Sequence, residues 1–407
     1  MTSEPAAGRS LAPIYVVSLG FVALALSYSI RAVLSMMMPI WEADLDWSRS
    51  FISGVAALAQ IVIAIFAPLG GRLVDLYGSR SVLVYGLLLL AIGCAMIAAF
   101  PTKVMFVIGF GIISAIGFGL IAVHVVSTAV EQKFDKNQGL ATGIATSGST
   151  AGQILVVPVV AFILISTNWQ TSYVILAGTC VAMMILLWRL MPRHTAPANV
   201  TRAPSTLWAD TKTMTKIPTF HILFWSYLIC GYTTAGVIET HFLPYAAFCG
   251  FPPVSSATVY GVLSVFNLIG MIAVGWLTDR MNRPLLLGMI YIIRGITFII
   301  LMNVGASIEL LVVFAVIFGL VDYSTVPVTA SLVASHIGKR TMGLAFGYIT
   351  AGHGIGGALG AFLGGYLFDI YLEYDWVWIS SLLLAVASGL IVFLSSENRS
   401  QTPPQPA

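Results

Sequence analysis

Several long apolar segments of this chain are interrupted by charged or titratable side chains. The clearest interruption is Arg31, which stands near the middle of SYSIRAVLSMMM, residues 27–38. An arginine keeps its proton in a protein, and placing that charge at bilayer depth costs about 2.5–3.5 kcal/mol or more. Its guanidinium can bind a carboxylate through two parallel hydrogen bonds. Three interpretations stay open: an anion anchor, an ion pair with Glu239, and a side chain that reaches the membrane surface.

Two more titratable side chains, Glu239 and His241, occur in IETHF, residues 238–242. A helix turns about 100° per residue, so these side chains point about 200° apart and only one can face a given point squarely. Glu239 could carry a proton, pair with a cation or lie at a rim. His241 could bind substrate or a proton, because imidazole titrates near neutral pH, or it could make a structural hydrogen bond.

Arg294 lies about ten residues after the start of its apolar segment and Asp322 about ten residues before the end of its own, so antiparallel helices would place both at similar depth. We expect a structural ion pair between them, with Asp322 as an alternative proton carrier. Two histidines could bind substrate, take part in proton coupling or bond a neighbouring helix, and three neutral side chains could hydrogen-bond a substrate. These further candidates are His124, His353, Tyr28, Asn267 and Tyr323.

These side chains must be positioned by helices that span a membrane. Of the 407 residues, 58% are hydrophobic and only 9% are charged, whereas a soluble domain has about 25% charged residues. A soluble protein of this composition would expose large apolar patches, so we predict an all-α membrane protein. Twelve apolar segments are long enough to cross about 30 Å of hydrocarbon. They lie near residues 14–40, 51–74, 81–100, 104–130, 139–166, 169–190, 219–247, 255–278, 285–303, 308–332, 342–368 and 376–395.

The predicted helices form two six-helix bundles, at residues 14–190 and 219–395. The longest connector, 191–218, contains PRHTAPANVTRAPST and is predicted to be a mobile linker between the bundles. The terminal segments 1–13 and 396–407 are predicted to be cytoplasmic tails.

The distribution of lysine and arginine predicts the orientation, because positive charge marks the cytoplasmic side. Only Arg49 and Lys103 lie in the connectors opposite the two chain ends. We therefore expect both ends to be cytoplasmic, in a bacterial inner membrane. Fifteen basic residues lie on the side of the chain ends: Arg9, Arg72, Arg80, Lys133, Lys136, Arg189, Arg193, Arg202, Lys212, Lys216, Arg280, Arg283, Lys339, Arg340 and Arg399.

Composition and motifs argue against several other functions. The net charge of +3 is too small to indicate nucleic acid binding, and the chain has no G-x-x-x-x-G-K-[ST] loop for ATP. The four cysteines lack metal-ligand spacing, and no carboxylate or cysteine cluster accompanies the methionines at 36–38. The first residues show no signal-peptide cleavage pattern. We expect no metal, no cofactor and no catalytic residue.

An internal repeat relates the two predicted bundles at an offset of 204 residues. GRLVD at 71–75 becomes GWLTD at 275–279, and GLATGIATSGSTAGQ at 139–153 becomes GLAFGYITAGHGIGG at 343–357. Neither match needs a gap. Small residues four apart allow helices to pack closely in lipid, which predicts a seam that two moving bundles could share.

A parallel repeat of six plus six helices resembles the major facilitator superfamily. The stretch GRLVDLYGSR at 71–80 also resembles the signature loop of that superfamily between helices 2 and 3. The resemblance implies a secondary transporter, not an enzyme, that works by alternating access. It also implies a latch that holds the cytoplasmic side shut. The latch residues would be Gly71, Asp75, Gly78, Arg80, Gly275, Asp279, Arg280 and Arg283.

The first quarter of the chain resembles monocarboxylate porters and their bacterial relatives, which include oxalate–formate exchangers. The likeness rests on Ser27-Tyr28 before the intramembrane cation, on Trp47-Ser48-Arg49, and on YGSR at 77–80. It implies a monomeric carrier that moves a small organic anion with protons and contacts membrane lipids. In this chain, however, Asn267 and Met271 stand where those porters often have an Asp and an Arg.

The alternative is a proton-coupled antiporter that exports drugs or other amphipathic compounds. Drug antiporters of the superfamily tend to have an arginine in helix 4 and a Gly-Pro-x-x-Gly-Gly stretch in helix 5. The predicted helix 4 lacks that arginine, and residues 148–152 read GSTAG without the proline. Both differences favour the anion carrier.

Overall fold

The computed structural model describes residues 12–134, 136–192 and 206–397, and helices make up most of this part of the chain. Twelve helical spans occur at the predicted places. In the first half they are Ala12–Leu45 (α1), Arg49–Tyr77 (α2), Ser79–Ala99 (α3), Lys103–Glu131 (α4), Gln138–Thr146 with Gly148–Ser166 (α5) and Trp169–Leu190 (α6). In the second half they are Pro218–Phe248 (α7), Pro253–Thr278 (α8), Arg283–Met302 (α9), Ile308–His336 (α10), Met342–Tyr371 (α11) and Asp375–Phe393 (α12).

Ten of these spans are long and apolar enough, by length and composition, to cross a membrane. The other two are α5 and α11, which contain the glycine-rich repeat. A turn at Ser147 divides α5, and glycines lower the hydropathy of α11. Both of these helices nevertheless pack among the others in the centre of the bundle.

The two halves repeat the same helix pairings. In the first half α1 packs on α5, α2 on α4 and α3 on α6; in the second half α7 packs on α11, α8 on α10 and α9 on α12. The halves meet through α2 with α11 and through α5 with α8. The offset of 204 residues is therefore also a structural two-fold relation, in which α5 and α11 contact both halves.

Glycine backbones make the contact between the halves very close. A Cβ atom on Gly71 of α2 would lie 1.8 Å from the Gly343 carbonyl oxygen of α11. A Cβ atom on Gly275 of α8 would lie 2.5 Å from the Gly139 carbonyl oxygen of α5. We call the side of the bundle that holds these contacts, where α1 begins and α12 ends, the terminal face. At this face the halves are packed shut, as the glycine spacing allows.

The connector between the halves differs from the prediction of a mobile linker. It contains a helix, Leu207–Met214, which begins after Thr206, whose hydroxyl accepts the N–H of Ala209 at 3.2 Å. Asp210 of this helix pairs with Arg72 of α2, and its other carboxylate oxygen lies 3.7 Å from Arg340, just before α11. A capped turn and two ion pairs thus hold this helix against both halves. Residues 193–205 of the connector lie outside the described residues.

Besides α5, two spans are broken near mid-length, although continuous helices were predicted. In α4 a π-helical stretch, Val107–Ser114, is followed by a break after Leu120. In α10 the first helix ends at Val321 and the second begins at Thr325. Broken helices leave backbone carbonyls without partners, and such breaks occur at membrane depth only where protein groups or a cavity satisfy them.

Candidate functional site

A cavity of about 380 Å³ lies between the two halves, on the side remote from the terminal face. Seven helices contribute to it: α1, α2, α4 and α5 from the first half, and α7, α8 and α10 from the second. Small polar sites enclosed by apolar walls are typical of small-molecule binding. The polar side chains in its lining are Tyr28, Arg31, Gln60, Ser149, Thr150, Gln153, Glu239, Tyr260, Ser264, Asn267, Asp322 and Tyr323.

Arg31 supplies the positive charge of this cavity. Tyr28 stands three residues earlier on the same face of α1, and its ring centroid lies 5.2 Å from the guanidinium carbon. Arg31 Nη2 donates to Gln60 Oε1 of α2 at 3.3 Å. Within the described chain, no carboxylate oxygen lies within 4.0 Å of its guanidinium nitrogens. Most of the guanidinium donors are therefore available to a ligand in the cavity.

Glu239 lies in the second-half wall of the same cavity and is exposed to it. Its Oε1 atom accepts the Tyr323 hydroxyl of α10 at 2.8 Å. The ion pair with Arg31, one of the three interpretations of that arginine, is not formed in this conformation. His241 faces elsewhere, as the 200° divergence between the two side chains requires, since its Nε2 lies 3.0 Å from the Ala361 carbonyl oxygen of α11.

Asp322 stands at the break in α10, between the cavity and the protein interior. Its Oδ1 accepts the Thr234 hydroxyl of α7 at 2.5 Å, and its Oδ2 is 3.4 Å from Asn267 Nδ2 of α8. Arg294 Nη2 lies 3.7 Å from Asp322 Oδ1, so the two residues form the expected pair. Asp322 is 3% exposed, and its carboxylate is among the groups that line the cavity.

Arg294 also satisfies the carbonyls that the break in α10 leaves free. Its Nη2 donates to the Val321 carbonyl at 2.9 Å and to the Asp322 carbonyl. Its Nη1 donates to Cys230 Sγ of α7 at 2.9 Å. The side chain is fully buried and does not line the cavity. Its position explains how the broken helix is held, and therefore how Asp322 is presented to the cavity.

The other two candidate histidines, His353 and His124, are not among the residues that line the cavity, so their role as substrate ligands stays a prediction and packing against a neighbouring helix is what this conformation shows. His353 packs on the Tyr227 ring at 5.0 Å in the seam between α7 and α11. His124 of α4 is fully buried, and its ring centroid is 6.5 Å from that of Phe346 in α11. Their depth was predictable from the sequence, but the direction of each ring depends on how its helix is rotated in the bundle.

At the terminal face, two aspartates bind helix N-termini across the interface between the halves. Asp75 of α2 accepts the N–H groups of Gly343 and Leu344 at 3.0 and 2.9 Å, where α11 begins. Asp279 of α8 accepts the N–H groups of Gly139 and Leu140 at 2.8 and 2.9 Å, where α5 begins. Free N–H groups and the positive end of the helix dipole favour a carboxylate at these points.

Each arginine predicted to belong to the latch has a contact within its own half. Arg80 stacks on Trp188 of α6, with 4.4 Å from its guanidinium carbon to the ring, and Arg280 stacks on Trp276 at 4.1 Å. Arg283 Nε donates to Glu397 Oε1 at 2.8 Å, beyond α12. Gly78 has φ +78°, which lets α3 start directly after α2. The predicted latch residues that bridge the halves are therefore the aspartates, at helix N-termini, and the glycines. Lys339 adds a further contact across the halves, because its Nζ donates to the Phe134 carbonyl at 3.2 Å.

The Major Facilitator Superfamily profile matches residues 20–305 and 282–407 of this chain. The chain belongs to this superfamily. Its relatives include YcxA, an uncharacterized MFS-type transporter of Bacillus subtilis (strain 168), which is 25% identical over 376 residues, covering 90% of this chain and 91% of YcxA. Monocarboxylate transporter 13 of Rattus norvegicus is 24% identical over 392 residues, covering 93% of this chain and 88% of the rat protein.

Solved structures of the superfamily share the fold. The fucose:proton symporter FucP of E. coli superposes with a TM-score of 0.74 at 16% identity, covering 95% of this chain and all of the FucP chain. The twelve-helix fold, the repeat and the resemblance to monocarboxylate porters are thereby confirmed for this member of the superfamily. At such identity the superposition informs us about the fold alone.

Sequence reasoning missed several side chains of this superfamily member. Gln60, Gln153 and Tyr260 line the cavity, but an uncharged residue in an apolar segment gives little signal of its direction. Glu131 is fully buried at the end of α4, and its Oε1 accepts the Thr142 hydroxyl at 3.2 Å. It was overlooked because the predicted fourth segment ended at residue 130, which assigned this carboxylate to a connector.

Proposed function

We propose that this protein is a secondary transporter that moves a small monocarboxylate by alternating access, with proton symport. Membership of the superfamily supports transport, and several relatives carry the name monocarboxylate transporter. The polar cavity between two repeated halves, shut at one face, suits a carrier that exposes one site to either side in turn. The size of the cavity fits a small molecule.

The observation that carries the proposal is the open guanidinium of Arg31. A charge at this depth is unfavourable unless something compensates it, and its contacts are one amide oxygen and aromatic rings. A carboxylate could accept two hydrogen bonds from the guanidinium and neutralise it. This arginine would take the place of the one that monocarboxylate porters often have in helix 8, where this chain has Met271.

We assign the proton to Asp322, at the break in α10. Its partner Arg294 is held by two backbone carbonyls and a cysteine sulfur, so it would keep its position if Asp322 were neutralised. Protonation would leave the positive charges of Arg31 and Arg294 and the single negative charge of Glu239 around the cavity. The resulting positive charge favours entry of an anion, which couples the proton to the cargo.

We infer from the lysine and arginine distribution that both chain ends are cytoplasmic. We also propose that the protein is a monomer surrounded by lipid, in a bacterial inner membrane. The shut terminal face is then the cytoplasmic face, and the cavity belongs to an outward-facing state. Arg9, Arg193, Arg202 and Arg399, which contribute to the charge count, lie outside the described residues.

The proposal is tested by uptake of radiolabelled monocarboxylates into proteoliposomes, with and without an inward proton gradient. We expect gradient-driven accumulation of at least one acid, and its loss in Arg31→Gln. Arg189→Gln, which changes an exposed arginine at the end of α6, is the matched control and should transport normally. If no acid moves under either condition while amphipathic cations are exported, the chain is a drug antiporter and the proposal is wrong.

The proton assignment has its own test in the same vesicles. Asp322→Asn should abolish accumulation driven by a proton gradient but retain exchange of labelled for unlabelled cargo, because exchange needs no net proton movement. Glu309→Gln, an exposed carboxylate at the start of α10, is the control. Normal gradient-driven accumulation in Asp322→Asn would show that a group other than Asp322 carries the proton.

A further inference from the structure

The two walls of the cavity carry opposite and unpaired charges. On the first-half wall, Arg31 faces Gln60 and Tyr28. On the second-half wall, Glu239 is exposed to the cavity and accepts one hydrogen bond, from Tyr323. Among the described residues, no lysine, arginine or histidine nitrogen lies within 4.0 Å of Glu239. One cavity thus contains an open cation and an open anion on different halves.

An anion that binds only Arg31 would leave the second charge uncompensated. The closure of a carrier around its cargo removes water from the cavity, and a charge without a partner becomes more unfavourable as water leaves. Arg31 and Glu239 could neutralise each other only if the walls met, with nothing between them. A cargo that occupies the space must therefore compensate the negative charge of Glu239 as well as the positive charge of Arg31.

We propose that the preferred cargo is a monocarboxylate that also carries a protonated amine, so that one molecule bridges the two halves. This inference rests on the proposed function, since it takes carboxylate binding at Arg31 as given. The carboxylate binds Arg31 of α1, and the ammonium binds Glu239 of α7. Tyr323 already donates its hydroxyl to Glu239 Oε1, so the ammonium is expected at Oε2.

The arrangement also gives Glu239 a role distinct from that of Asp322. Asp322 is 3% exposed and has Thr234, Asn267 and Arg294 as partners. Glu239 is exposed, and a ligand can replace cavity water at its carboxylate without breaking an ion pair. A bridging cargo would contact Arg31 in the first half and Glu239 in the second half, so it would draw the two halves together. A simple acid of the same length would contact only Arg31 and would not.

The test compares matched acids on the purified full-length protein. Glycine, β-alanine, γ-aminobutyrate and δ-aminovalerate are each paired with the acid that lacks the amine: acetate, propionate, butyrate and valerate. Each compound competes against the radiolabelled monocarboxylate that is taken up in the uptake assay. The ratio of the affinity of the amino acid to that of its partner acid is then compared between pairs. We expect one chain length at which the amino acid competes at least 10-fold better than its partner acid.

Two substitutions at Glu239 separate recognition from structure. Glu239→Gln still accepts the Tyr323 hydroxyl, and it should reduce the affinity ratio to near 1 by weakening the amino acid and not the simple acid. Glu239→Asp keeps the charge and should retain the preference, with an optimum shifted to a longer amino acid. Arg31→Gln should weaken both members of every pair, and Glu309→Gln should change neither.

The outcomes are distinguishable from failure of the proposed function. If simple acids compete as well as amino acids in the unsubstituted protein, or if Glu239→Gln weakens both equally, the bridging inference is wrong and carboxylate transport stands. If no monocarboxylate is taken up in the uptake assay, so that there is no labelled acid to compete with, the proposed function itself is wrong. Thermal unfolding of each purified variant shows whether a loss of binding reflects a loss of the fold.

Discussion

Each half of the described chain contains one arginine deep in an apolar span, and the two differ in burial and in partners. Arg294 of α9 is fully buried, pairs with Asp322, and donates to two carbonyls at the break in α10. Arg31 of α1 borders the cavity and donates to one amide oxygen. Sequence position treats the two alike, since each stands alone in an apolar segment.

The difference supports the proposed division of roles, in which Arg294 is structural and Arg31 binds the cargo, because only one of the two charges is compensated within the protein. The protein itself supplies partners for Arg294, so no ligand is needed to hold it at that depth. The protein supplies only the Gln60 amide oxygen and aromatic rings as partners for Arg31 among the described residues. A ligand carboxylate could therefore bind the guanidinium without displacing an ion pair. The repeat keeps the helix pairings equal in the two halves while the charges in them diverge.

The largest effect is expected from removing Arg294. Arg294→Gln leaves Asp322 without its positively charged partner and two carbonyls without their donor. This loss should lower the free energy of unfolding by about 3–5 kcal/mol. Arg31→Gln loses one hydrogen bond and should lower it by less than about 1.5 kcal/mol. Denaturant unfolding in detergent micelles measures both values. Equal destabilisation by the two substitutions would contradict the division into structural and functional arginines.

The next effect concerns the aspartates of the terminal face, where the two halves should behave alike. Asp75→Asn and Asp279→Asn each keep one acceptor oxygen but lose the charge at a helix N-terminus, which should weaken the closed face by about 0.5–2 kcal/mol each. Distances between spin labels at the ends of α2 and α11 report closure for both variants. An effect confined to one aspartate would show that the two-fold relation does not extend to energetics.

A smaller effect is expected at His241, whose ring contacts α11 and is not part of the cavity lining. His241→Gln removes a hydrogen bond to the Ala361 carbonyl, worth about 1 kcal/mol of stability. Because the ring does not line the cavity, KM for the cargo should stay the same. A rise in KM with unchanged stability would mean that His241 reaches the cargo in another conformation of the carrier.

The smallest effect is expected at the tryptophan-stacked arginines. Arg80→Gln and Arg280→Gln each lose a cation–π contact, on Trp188 and Trp276 respectively, worth about 0.5–1 kcal/mol where water reaches the pair, as it does at half-buried Arg80 and at exposed Arg280. Spin-label distances across the terminal face should remain as in the unsubstituted protein. A marked opening of that face would show that these arginines contribute to the latch, as the sequence predicted.

Much of the fold could be predicted from the sequence because hydropathy and repeats are local properties of the chain. The twelve segments and the two halves follow from segment length and from the offset of 204 residues. The contact at Gly71 and Gly275 was implied by the resemblance to the superfamily. The breaks in α4 and α10 did not follow, because a break with satisfied carbonyls has no marked composition. The helix at Leu207–Met214 was also missed, since a short polar helix depends on ion pairs with distant residues.

The sequence by itself determined the superfamily, the position of each charged residue along its helix, and the fact that Glu239 and His241 must face different ways. Only the tertiary structure decided which of them faces the cavity, that Arg294 holds the break beside Asp322, and that Arg31 is left open. The physical reason is that hydropathy fixes how deep a residue lies in the membrane. The rotation of each helix about its own axis, by contrast, is set by packing against neighbours that are remote in sequence.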